Sequence, residues 1–423
     1  NADGSDVKQL TRAKNVSDID PVYLPGGDIV FTATREPKYC MCNRHIMANL
    51  FRMENDGANI HQIGKSTLFE GHGALLPDGR VMYYRWEYVD RNFGDAQGLW
   101  TVNPDGTNHA VYWGNNTASP GAVIDARPIP GTQRIVCTLT SCHDRPWGAM
   151  AIIDRRLGID ADAKHRDPIV RTWPPTARNL VGVGNFDTFQ RVFPRYEDAY
   201  PLQDPETGLG AGTYFLVSRS VDGPRPKPAG DGPKMGLYLV DAFGNDVLIH
   251  SEKHGCFDPM PVAPRTPVPI IPKRRNHTST HGVFYIQDVY QGTHMAGVKR
   301  GTVKSLRVVE SPEKRFWTGA SWGGQGTMAP AMNWHNFENK RILGTVPVEA
   351  DGSAHVRVPA DKFVFFQLLD ENGMMVQSMR SGTMVQPGET TGCVGCHDGR
   401  LTAPPPTTHP APIASQRPAN DLE

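Results

Sequence analysis

No run of about 18 apolar residues occurs in this chain, so nothing in it is long enough to cross a bilayer as a helix. No sign of charge dominates either. Lys plus Arg and Asp plus Glu number 44 each, so no basic field argues for nucleic acid or an anionic membrane as a partner. Long apolar stretches at helical period are scarce, and no nucleophile-elbow, phosphate-loop or paired-carboxylate motif stands out. No secretory leader opens the chain, whose polar start Asn1-Ala2-Asp3-Gly4 suits a processed or trimmed beginning. No cysteine follows Cys396, and no tyrosine follows Tyr290.

What the chain has in quantity is turn residues, with Gly 43 and Pro 36 in 423 residues. That length points to two domains, and that composition to many short strands. The pattern repeats at roughly 45 to 50 residues, the spacing of propeller blades. Asp20–Gly27, Ala74–Gly79 and Asp125–Gly131 each lead through a Pro/Gly turn into an alternating strand. Leu50–Met53, Leu99–Val102 and Leu237–Val240 are third strands, each running into an Asn- or Gly-bearing turn. Four blades are expected by about residue 252 and a fifth around Gly282–Glu310. Asp187–Gly212 reads as an elaborated blade edge. Pro259–Pro272, with six prolines, reads as an extended connector, and Lys273-Arg274-Arg275 as a solvated loop.

After Gly301 the character changes. Trp317, Trp322 and Trp334 lie in a Gly-rich stretch, and apolar runs then alternate with the hairpin signals Asp351-Gly352 and Asn372-Gly373. A sandwich-like second unit is expected, closed by Cys393-Val394-Gly395-Cys396-His397. Two thiols at this spacing with an adjacent imidazole are what covalent haem attachment needs. The competing reading is a metal site, but a structural zinc site wants a second pair of ligands at similar spacing. The expected organisation is all-β: a β-propeller over 1–310, a haem-binding β-rich domain over 311–401, and a proline-rich linker or tail over 402–423.

Several phrases resemble the hydrazine synthase α-subunit-like family. They are Gly344–Ser353, Val376–Ser381 and Gln386–Glu389 leading into Cys393–His397, together with Asp20–Pro25, Arg85–Asp90 and Asp258–Pro261. The resemblance implies a six-bladed propeller, here incomplete at its N-terminal end, before a middle domain with one c-type haem, and often a further cytochrome domain. It also implies that the histidine of the motif can leave iron for zinc, with a tyrosine four residues on as iron ligand. Here that position is Leu401. The cofactors expected are one haem c held by Cys393, Cys396 and His397, and zinc held by His397 with Cys142 and His143. Ser141-Cys142-His143-Asp144 carries the propeller's share of this because thiolate, imidazole and carboxylate follow one another; a disulfide is the alternative. Cys40-Met41-Cys42, Cys256 and Trp334-His335 are weaker candidates. Met374, Met375, Met379 and Met384 flank the haem loop, and Glu87 and Asp90 read as a salt-bridged blade edge.

The function this implies is an exported redox enzyme, periplasmic or extracellular, acting at one haem on a small molecule, with nitrogen compounds as the class. Its partner would be a redox protein, a further cytochrome domain or a subunit. The alternative is a single-haem electron-transfer or docking protein without catalysis of its own.

Overall fold

A computed structural model describes residues 3–41, 44–90, 97–115, 117, 119–143, 146–160, 176–182, 184, 186–204, 207–208, 210–223, 232–316, 338–396 and 411–423. The first 250 residues make four antiparallel four-stranded sheets in chain order. They are β1–β4 (Asp18–Tyr23, Ile29–Tyr39, Ile46–Met53, His61–Gln62), then β5–β8 (Glu70–Leu75, Val81–Trp86, Gln97–Val102, Ala110–Trp113). Next come β9–β12 (Ala122–Pro128, Arg134–Thr140, Ala149–Asp154, Ala177–Val181) and β13–β16 (Tyr196–Pro201, Tyr214–Ser220, Met235–Asp241, Asp246–His250). Neighbouring sheets bury their faces against each other. Met82 and Leu99 of the second pack with Ile135, Cys137 and Leu139 of the third, and Val136 and Ile152 pack with Phe215 and Val217 of the fourth. The Pro/Gly turns behave as expected: at Gly79 (φ 87°) the amide closes onto the Leu76 carbonyl, a backbone that only glycine adopts cheaply.

The first strand of each sheet lies beside the first strand of the next, the arrangement of blades around an axis. Each of these strands is bulged, and each bulge carries one residue in the left-handed region: Asp20, His72, Asp125 and Asp198, with φ of 50, 52, 50 and 53°. Tyr196–Pro201 is thus the inner strand of the fourth blade, not an elaborated edge. Asp258 repeats the left-handed aspartate at φ 48°, but the prolines after it carry no strand. The connector instead crosses to the second blade, where the Arg274 and Arg275 amides donate to Asp105 Oδ2 (2.5 and 3.2 Å). The backbone of its basic end is pinned there, while Lys273 and Arg274 stay exposed as expected of a solvated loop.

The expected fifth blade does not form. Gly282–Glu310 is divided between two sheets of a sandwich, because its strands find long-range partners instead of each other. β17 (His281–Ile286) pairs antiparallel with β20 (Ala354–Pro359) and parallel with β23 (Thr390–Cys393). β18 (Ser305–Glu310) lies between β19 (Arg341–Pro347) and β21 (Val364–Leu369), with β22 (Met375–Ser378) outside. The sandwich therefore opens at residue 281, before the expected boundary at 310. Phe284 meets Phe366 edge-on at 5.1 Å between the sheets. The C-terminal residues are no free tail. Glu423 exchanges backbone bonds with Thr345, Asn420 pairs with His355 and Arg357, and Ala414 is fully buried.

The two units meet through buried charge. Arg85 and Glu87, each 1% exposed, pair at 2.9 Å. Arg85 lies over Trp100 (3.9 Å) and Phe363 (4.5 Å) and donates to the Gly382 carbonyl at 2.7 Å. Glu87 accepts from the Ser381 hydroxyl and the Gly382 amide, and Asp90 from Ser378 and Lys340. The segment is salt-bridged as expected, through Arg85 and Glu87, and its carboxylates also bind across to the sandwich. Removing one partner of a buried pair leaves the other uncompensated, which costs about 3–5 kcal/mol. Arg85→Met is expected to destabilise the chain by that order in denaturant titrations, and adding Glu87→Gln to recover part of the loss. A single variant as stable as the parent would contradict the role.

Candidate functional site

The two described cysteines of the CxxCH motif sit where β23 ends. The parallel pairing places Cys393 opposite Ile286. The ladder then continues beyond the strand, with the Gln287 amide donating to the Cys393 carbonyl (2.9 Å) and the Asp288 amide to the Val394 carbonyl (3.1 Å). Both cysteines are half-buried, with their inner sides against the sandwich core. Between them, Gly395 lies so close to the 288–291 turn that a Cβ would meet Gln291 at 2.5 Å and the Asp288 carbonyl at 2.8 Å. That turn is itself tied down, since Asp288 accepts from the Tyr290 amide at 3.0 Å and pairs with Arg300.

The entrance to β23 is fixed from the propeller side. Glu389 accepts from the amides of Asn108 (2.6 Å) and Gln386 (2.7 Å) and from the Thr391 hydroxyl (2.9 Å). Burial raises its carboxyl above the usual range, although these donors oppose the shift. The Gln386 side chain reaches the Ile63 carbonyl at 3.3 Å. Two thiols held three residues apart on a rigid strand end, with one side open to solvent, suit bonding to the edge of a flat macrocycle. His397, Leu401, Trp317, Trp322, Trp334 and His335 lie outside the described residues. Of the methionines, Met384 is buried in packing and Met374 and Met375 are exposed at 66% and 54%.

The propeller candidates lie elsewhere in the chain's architecture. Cys142 follows β10 and is buried; Gln97 Nε2 donates to its sulfur (3.3 Å) and its carbonyl (3.1 Å). Gln97 also accepts from the Tyr84 hydroxyl. Burial drives the Tyr84 phenol well above its ordinary pKa, with the Cys142 and Cys40 thiols adding to the rise. Gln97 thereby links Tyr84 to Cys142, a grouping that their separation in sequence concealed. Cys137 donates to the Ala151 carbonyl and Cys256 to that of His250, as thiols and not as a disulfide. His143 is half-buried beside Cys142, while Cys42 and Asp144 fall outside the described residues. Among the described residues no three His, Cys, Asp or Glu side chains form a metal-ligand set, so the zinc reading rests on residues beyond them.

The model of the hydrazine synthase alpha subunit middle domain matches residues 301–398, the stretch that carries β18 to the cysteine loop. Hydrazine synthase subunit alpha of Kuenenia stuttgartiensis is 31% identical over 109 residues, which are 24% of this chain and 14% of that protein. A solved Kuenenia stuttgartiensis hydrazine synthase superposes with a TM-score of 0.72 at 18% identity, over 98% of this chain and 61% of that one. The chain thus spans about three fifths of the chain whose fold it shares. A putative TolB from Agrobacterium tumefaciens overlaps at a TM-score of 0.32, which is too low to argue from.

Gly395→Ala tests the loop geometry. Its methyl has no room against the 288–291 turn, and overpacking of this kind costs about 1–3 kcal/mol. The Gln287 and Asp288 amides are expected to exchange with solvent about tenfold faster or more, while the amides of β18 and β21 keep their protection. Unchanged exchange at 287 and 288 would show that the loop does not need the glycine.

Proposed function

On a chain that is hydrazine synthase alpha-subunit-like in its fold and its middle domain, we propose that Cys393 and Cys396 hold one covalent haem c. The protein is then an exported redox enzyme acting on a small molecule, with nitrogen compounds as the class that the relative's name suggests. One observation carries this reading: the two thiols stand half-exposed at a strand end braced from both units of the fold. When bound, the haem supplies a one-electron centre and an iron able to take small ligands.

The chain's own residues do the positioning. β23 fixes the direction of the Cys393 side chain, and the contact of Gly395 with Gln291 sets how the loop turns toward Cys396. Glu389, through Asn108, keeps that strand end in register with the second blade. His397 is the assigned neighbour of the iron. In the variant of this reading drawn from the resemblance, His397 instead joins Cys142 and His143 around zinc. A haem held here would exchange electrons with a redox partner, a further cytochrome domain or a subunit. Thioether formation needs the attachment machinery of an exported protein, hence a periplasmic or extracellular setting.

The decisive measurement is the intact mass of chain exported with haem-attachment machinery, read beside a peroxidase-stained denaturing gel. The expected mass is that of the polypeptide plus one haem, lost in the Cys393→Ala, Cys396→Ala double variant. A plain polypeptide mass with no stain would end the proposal. In the haem-loaded protein, His397→Ala should change the iron's spin state; an unchanged spectrum with loss of bound zinc would assign His397 to the second metal. Low-spin iron that ignores cyanide, carbon monoxide and nitric oxide would turn the reading toward electron transfer without catalysis.

A further inference from the structure

The left-handed residues of the inner strands make a second charged group, independent of the cysteine loop. His72 Nδ1 lies 2.7 Å from Asp125 Oδ1 and 4.0 Å from Asp20 Oδ2. Asp198 Oδ2 accepts from the Ser218 hydroxyl (3.2 Å) and the Asp258 amide (3.0 Å). Arg127 lies 3.7 Å from Asp258. With Glu197, five carboxyl groups face one imidazole and one guanidinium, so acidic groups outnumber basic ones. Burial opposes protonation of His72, yet Asp125 and then Asp20 prevail and push it up to about 9. The imidazolium therefore already occupies the middle of the group.

Glu197 is the member without a match. It is 7% exposed, and its side chain has no hydrogen bond or ion pair among the described residues. The charges acting on it are those of Asp198, Asp125, His72 and Asp258, which places its carboxyl inside the group. It stands in the group without a donor of its own, whereas Asp20, Asp125 and Asp198 each have one. Access exists, since the side chains of Asp258, Asp20 and His72 are 67%, 26% and 25% exposed.

The spread of the acceptors decides the kind of ligand. No three of the described side chains converge as metal ligands, so a single divalent ion has no ready cage. Acceptors set apart around a fixed imidazolium suit a cation that carries several N–H donors. The rings of Phe69 and Tyr84, 5.8 and 5.9 Å from that of His72, offer an apolar flank. We propose that this end of the propeller binds a small organic cation with N–H donors, an alkylammonium or guanidinium, with Glu197 and Asp198 as its acceptors. The site does not depend on haem, and loss of the haem reading would leave it standing.

Calorimetry on the intact chain, with methylammonium and agmatine as probes, tests this. Tetramethylammonium, with the same charge and no N–H, and calcium serve as comparisons. Saturable binding of the N–H cations is expected, weakened about tenfold or more by Glu197→Gln. Burial and then Asp198 push the Glu197 carboxyl up to about 8, so a bound cation must displace a proton and affinity should rise from pH 6 to pH 8. A lysine-tipped peptide that outcompetes methylammonium would assign the cation to a partner's side chain; equal competition would assign it to free amines. No saturable binding, equal binding of tetramethylammonium, preference for calcium, or indifference to Glu197→Gln would each overturn the proposal. Should Glu197→Gln fail to fold, the comparison of methylammonium with tetramethylammonium on the parent chain decides alone.

Discussion

Arg85 paired with Glu87 is the contact on which the relation of the two units rests. Both charges are fully withdrawn from water, so their solvation has to be replaced by partners. Those partners belong to the other unit: the Gly382 carbonyl and amide, the Ser381 hydroxyl and the Phe363 ring. A propeller displaced by one hydrogen-bond length would strip the pair of its bonds to the sandwich within a dry interface. Hydrophobic contact through Val89, Val309 and Phe365 adds area, but area alone tolerates sliding. The charged pair fixes the register.

From that clamp the order propagates along the chain. Residues 381 and 382 lie just ahead of Gln386 and Glu389, which bond to the first and second blades, and Thr390 then opens the strand that ends at Cys393. The cysteine loop is thus referenced to the blades as well as to its own sandwich. That is why the family-matched stretch, 301–398, is held in place by residues such as Arg85, Asn108 and Ile63 that lie far outside it.

Much of the fold is legible in the sequence because turn chemistry is local. The Pro-Asp-Gly and Asn-Asp-Gly signals each close a hairpin, and the four blades follow from their spacing. Pairing at long range is not local, so Gly282–Glu310 looks like one more hairpin until Val356 and Phe366 claim its two strands. The same limit hid the ring of inner-strand charges. Asp20, Asp125 and Asp198 stand in visible Asp-Pro or Asp-x-x-Pro phrases, but His72 occupies the position without the proline, and only the bulges bring the four together. Arg85–Asp90 was recognisable as a charged segment. Which surface it served depended on residues some three hundred positions away.

β23 is an outer strand of its sheet, four residues long, with β17 as its one sheet neighbour. Its partner lies about a hundred residues back in the chain, so the pairing forms only after the intervening loop has closed, at an entropic cost that local hairpins avoid. By the same token it can be given up without disturbing any other ladder of the sandwich. What holds the loop is therefore less its own short strand than the contact of Gly395 with Gln291 and the bond from Asn108 to Glu389, so its local stability is set by groups outside the ladder.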